Sequence, residues 1–112
     1  MKIDNETEDD VDYNQTGGGG GHTLDEFLAL IKDPPATGPG DDVIWGTLPP
    51  IAEVMFTPTG SFDYIAVVTN DFGGCYWVQF TDPATVITVR DLRSNPPDVE
   101  VNPAPTATGT CT

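Results

Sequence analysis

The run Tyr64-Ile65-Ala66-Val67-Val68, closed by Asp63 and Thr69, constrains this chain more than any other feature. It is too short to stand as a helix and too apolar on both faces to be a strand with one side in water. Side chains alternate along a strand, so Phe62, Tyr64, Ala66 and Val68 share one face, with Asp63, Ile65, Val67 and Thr69 on the other. A strand that is apolar on both sides belongs in the middle of a sheet, covered from above and below.

Similar runs surround it. Strands are expected at residues 43–48, 52–57, 62–69, 75–81 and 85–92, with a short edge strand at 98–101. The links between them carry turn chemistry: Thr57-Pro58-Thr59-Gly60, Asn70-Asp71-Phe72-Gly73-Gly74 and Thr81-Asp82-Pro83-Ala84. Links this short join antiparallel neighbours, because a parallel pair needs a long crossover. The expected fold is therefore mainly β, a small antiparallel meander closed as a sandwich or barrel, with one short N-terminal helix and extended arms at both ends.

The helix is expected over residues 23–33. Thr23 can cap its first amides, and Glu26 stands three positions later as in a capping box. Leu24, Phe27, Leu28 and Ile31 form one apolar stripe, and Pro34-Pro35 ends the segment. So short a helix must dock, on its own sheet or in a partner's groove. The stripe is thus a candidate partner-binding surface. Trp45 and Phe72, at the start of the sheet and in a loop, are the aromatic side chains expected to stay exposed at a contact.

Around this core the sequence divides into an acidic Gly-rich arm at 1–22, the helix at 23–33, a Pro/Gly linker at 34–42, the β domain at 43–101 and a Pro/Thr-rich tail at 102–112. The arm has six acids in its first twelve residues and ends in the run Gly17-Gly18-Gly19-Gly20-Gly21. Few apolar side chains are there to offset an ordering entropy of roughly 1–2 kcal/mol per residue. Its acidic, polar start does not fit a secretory signal, and no run in the chain approaches the length of a membrane span. Asn5-Glu6-Thr7 and Asn14-Gln15-Thr16 match the glycosylation acceptor pattern.

Eighteen acids against four bases give a net charge of −14, with no base between Lys32 and Arg90. Direct nucleic-acid binding and attachment to an anionic membrane both need a basic footprint that is missing. Basic or neutral protein surfaces remain as partners, self-association among them. Cys75 and Cys111 are the only cysteines. They are a disulfide candidate, a bridge that a reducing cytoplasm opposes and an oxidising environment permits. With His22 alone they make no zinc site.

Catalytic chemistry finds no foothold. His22 lies beside the glycine run and is the only histidine, so no Ser-His-Asp set can be built rigidly around it. The acids Asp9, Asp10 and Asp12 lack the glycine and distal glutamate of an EF-hand loop, and no cofactor motif is present. The expectation is a non-enzymatic structural or assembly protein without metal or cofactor. Its expected form is a virion accessory protein, a capsid decoration or cement subunit localised to the assembled particle, with a tail or filament subunit as a close variant. Its partners would be the neighbouring subunits of that assembly, bound through the acidic arm and the β-module. The alternative is an acidic mimic of DNA that inhibits a nucleic-acid-binding enzyme.

Overall fold

A computed structural model describes residues 1–17, 24, 25, 27, 44–59 and 63–111. Among them nine strands follow in order: β1 (Lys2–Asn5), β2 (Val11–Gly17), β3 (Ile44–Leu48), β4 (Ala52–Met55), β5 (Tyr64–Thr69), β6 (Cys75–Phe80), β7 (Val86–Asp91), β8 (Asp98–Asn102) and β9 (Ala107–Thr110). They form a four-stranded sheet in the order β4-β1-β7-β8 and a five-stranded sheet in the order β3-β2-β5-β6-β9. The two sheets face each other in a sandwich-like arrangement, and both keep open edges, so the sheet does not close into a barrel.

The central position of the Tyr64–Thr69 strand follows from its two apolar faces. Ala66 and Val68 point into the main core between the sheets with Val11, Tyr13, Val78 and Phe80. From the other sheet Ile3, Ile87 and Val89 meet them. Ile65 and Val67 point the opposite way and pack with Phe27, Leu24, Trp77 and the two cysteines in a second cluster on the outside of the five-stranded sheet. Each fully buried aliphatic or aromatic side chain contributes roughly 1.5–3 kcal/mol relative to exposure.

The expected acidic arm is instead part of the fold. β1 lies between β4 and β7, and β2 lies between β3 and β5, so both are interior strands. The physical reason is alternation. Ile3 and Asn5 turn inward while Lys2 and Asp4 turn out, and Val11, Tyr13 and Gln15 turn inward beside the outward Asp12. The acids that make the segment look disordered are on its solvent side. Gln15 is buried but satisfied: its Nε2 donates to Thr59 O at 3.1 Å and its Oε1 accepts from Thr59 N at 2.9 Å.

The C-terminal tail, expected as an extended arm, also contributes a strand. β9 pairs with β6, placing Tyr76 opposite Thr110 and Trp77 opposite Gly109. A disulfide joins Cys75 to Cys111, whose Cα atoms are 5.4 Å apart. A side chain at Gly109 would strike the Trp77 ring, at 2.8 Å from its nearest atom. The indole therefore lies flat over the glycine backbone.

The topology is not a meander. Sequence neighbours pair only as β2–β3, β5–β6 and β7–β8, while β1 runs parallel to β7. The Asn70–Gly74 link is a hairpin as expected: Asn70 Oδ1 accepts from Phe72 N at 3.1 Å and Gly74 N at 2.7 Å, and Gly73 takes φ +84°. The links at Thr57–Gly60 and Thr81–Ala84 join strands of different sheets instead. Turn residues specify a reversal, but not whether the chain returns to the same sheet. Leu24, Asp25 and Phe27 have helical geometry, and no helical element stands among the described residues. The remainder of the expected helix, including Leu28 and Ile31, and the 34–42 linker lie outside the described residues.

Candidate functional site

The β1–β2, β3–β4, β5–β6 and β7–β8 connections meet at one end of the sandwich. Asn5, fully buried at the end of β1, ties two of them together. Its Nδ2 is within hydrogen-bonding distance of Asp9 O at 2.8 Å, Leu48 O at 3.1 Å and Pro49 O at 3.1 Å. Its Oδ1 accepts from Thr7 N at 2.9 Å and Thr7 Oγ1 at 2.6 Å. The acidic β1–β2 loop is thus a fixed part of the surface.

Arg93, in the β7–β8 connection, bridges the other loops. Its Nε and NH2 donate to the two carboxylate oxygens of Asp9 at 2.7 and 2.6 Å. The same guanidinium lies 3.7 Å over the Phe72 ring. The hydrogen bond that Arg93 donates to Asp9 raises its pKa above the already high ordinary value. Arg90 pairs with Glu100 at 2.7 Å and Glu6 at 3.7 Å, and Lys2 pairs with Glu53 at 2.8 Å. Every cation among the described side chains is therefore already matched with a carboxylate. A shallow depression of about 380 Å³ runs between Phe72, Leu92, Arg93, Asn95, Pro97 and Cys111. It is at the small end of ligand-binding cavities and open to solvent.

Among the described residues no group of three or more histidine, cysteine or acidic side chains is arranged to hold a metal ion. His22 lies outside the described residues, and the cysteines are consumed by their bridge. Both glycosylation patterns sit on interior strands, with Asn5 at 0% and Asn14 at 5% exposure, so neither amide is presented to an enzyme. Asn14 Oδ1 and Asn70 Nδ2 are buried without a hydrogen-bond partner. Among the described residues no helix is long and apolar enough to cross a membrane.

The residues singled out from the sequence separate into different places. Phe27 is fully buried and, with half-buried Leu24, covers Ile65 and Val67 of its own sheet. Of the two seats expected for the stripe, Phe27 takes the one on its own sheet, and Leu24 lies half-buried beside it. Trp45, on β3, and Phe72, in the β5–β6 connection, are exposed at 51% and 63%. Two further exposed apolar residues escaped the sequence reading, Ile51 at 76% and Met55 at 75%. Met55 had a legible signal, because it alternates with Glu53 and so faces the solvent side of β4. Ile51 follows Pro49-Pro50 in a turn and takes φ +58°, a strained conformation for a β-branched residue. Nothing in its local sequence announces that.

Comparison with known proteins adds no relative: no family model, no curated protein and no solved structure matches this chain.

Proposed function

We propose that this chain is a non-enzymatic assembly protein, a decoration or cement subunit that seats on neighbouring subunits of a virion capsid, tail or filament. The observation that carries the reading is the placement of Trp45, Ile51 and Met55, which lie exposed on or between the edge strands β3 and β4. Trp45 faces out from the five-stranded sheet and Met55 from the four-stranded sheet, with Ile51 in the turn between β3 and β4, so both outer faces carry exposed apolar surface at this edge. The Cys75–Cys111 bridge suits a module that persists in oxidising surroundings.

The reading no longer draws on a free arm, because residues 2–17 supply interior strands. Contact with neighbours is assigned to the folded surface instead. The mimicry of DNA is the weaker account. On the solvent face of the four-stranded sheet, Asp4, Glu53 and Glu100 are interleaved with Lys2 and Arg90. That mixture of signs does not reproduce a row of phosphates.

Sedimentation of native lysate tests the proposal. The expected result is that the chain travels with a large particle at a fixed ratio to its main subunit. A chain that stays at the top of the gradient, with the mobility of an 11.9 kDa monomer, contradicts it. So does stoichiometric recovery with a DNA-binding enzyme.

A further inference from the structure

A strand at the edge of a sheet exposes unpaired N–H and C=O groups, and folded proteins usually blunt such edges with proline, charge, bulges or cover. The four edges here are treated unequally. β8 lies between Pro97 and Pro103, carries Asp98 and Glu100 on its exposed side, and pairs with β7 across a register shift between Val89 and Asp91. β9 follows Pro103 and Pro105, is joined to β6 by the disulfide, and has its Thr110 carbonyl capped by Trp77 Nε1 at 3.1 Å. β4 carries Glu53, held by Lys2 at 2.8 Å. Among the described residues β3 has none of these devices. Ile44-Trp45-Gly46-Thr47-Leu48 contains no proline and no charge, and Trp45 and Thr47 stand exposed on its outer face.

We propose that β3 is the edge to which a partner adds a strand, and that this strand is a basic, extended segment with alternating apolar side chains. The proposal rests on the assembly reading and names its contact. Backbone pairing with Ile44–Leu48 would extend the five-stranded sheet, and an apolar side chain of the newcomer would lie beside Trp45 as a cross-strand pair. Charge decides the occupant. The chain carries −14, and the described cations Lys2, Arg90 and Arg93 are all paired within the molecule. Asp12 lies on the same outer face, directly across from Thr47 and bonded to its hydroxyl at 2.5 Å. A second copy would bring the same excess of acid to an edge that has no unpaired cation among the described residues to answer it. A strand with lysine or arginine at alternate positions meets acid there instead.

The test uses the full, oxidised chain and two probes, a peptide of alternating lysine and valine and one of alternating glutamate and valine. Amide spectra are recorded at about 0.1 M and about 1 M salt, where the screening length falls from ~10 to ~3 Å. The expected result is that the lysine peptide protects the amides of residues 44–48 and binds at least about tenfold more weakly at the higher salt. Trp45→Lys and Thr47→Lys should each weaken it by about tenfold without altering the spectrum elsewhere, and Thr108→Lys on β9 should leave it unchanged. Equal binding of the glutamate peptide, a footprint on β8, β9 or the loop end, or no protected amide in β3 would overturn the proposal. Those outcomes leave the assembly reading standing, since co-sedimentation decides that separately.

Discussion

Residues 1–17 and residues 103–111 share a composition that argues against folding, the first rich in acids and the second in proline, threonine and alanine. They enter the sandwich by different routes. The N-terminal segment supplies β1 and β2, each flanked by strands on both sides and anchored by Ile3, Val11 and Tyr13 in the core. The C-terminal segment supplies only the edge strand β9, with half-buried Ala107 and Gly109 and a covalent tie to β6. One end is held by packing, the other by a cross-link. Composition alone does not distinguish a disordered tail from either, because what matters is where the few apolar groups fall.

The largest effect should come from the packed end. Ile3→Ala removes a fully buried side chain from the centre of the core and should cost about 2–5 kcal/mol in denaturant unfolding. A cost under 1 kcal/mol would mean that β1 is not seated as described. Removing the staple with Cys75→Ser and Cys111→Ser should cost about 3–4 kcal/mol for a loop spanning 36 residues. The two losses should differ in kind. Without the bridge β9 amides should exchange first while β1 and β2 remain protected, whereas Ile3→Ala should loosen both sheets together.

Smaller changes sharpen the same contrast. Gly46 lies under the Tyr13 ring, where a Cβ would come within 2.5 Å of the hydroxyl, so Gly46→Val should overpack that contact and cost about 1–3 kcal/mol. Ile51→Gly relieves a left-handed backbone at an exposed site and should stabilise the protein by about 1 kcal/mol while removing part of the exposed flank. The smallest effect belongs to the exposed Lys2–Glu53 pair. Its hydrogen bond and charge hold the Lys2 ammonium above the ordinary value of 10.5. A raised folded value means that the contribution is fully present below 10.5 and fades as pH rises through the folded value. The stability difference between the protein and Lys2→Met should accordingly be flat through neutral pH and vanish in strong alkali.

Much of the sandwich was legible in the alternation. The runs over 43–48, 52–57, 62–69, 75–81, 85–92 and 98–101 correspond within two residues to β3, β4, β5, β6, β7 and β8. Three strands were not seen, for two reasons. In β1 and β2 the alternation was present in Ile3, Val11 and Tyr13, but acid density was weighed above it. In β9 the sequence Ala107-Thr108-Gly109-Thr110 has no apolar side chain large enough to signal a strand, and its place depends on Trp77 and Cys75 far along the chain. The sheet order was invisible for a third reason: β1 lies beside β7 through contacts between residues more than eighty positions apart, which no local pattern encodes. At the surface, Trp45 and Phe72 were legible from their positions. Phe27 was not, because the face it covers is made by Ile65, Val67 and Trp77 together.

Amide hydrogen exchange on the full, oxidised chain tests the central claim most directly, because it asks whether the acidic N-terminal residues are interior strands. The account expects the amides of Lys2–Asn5 and Val11–Gly17 to exchange as slowly as those of Tyr64–Thr69, through opening of the whole sandwich. Exchange of the first seventeen residues at the rate of an unstructured chain, beside a protected β5, would contradict it.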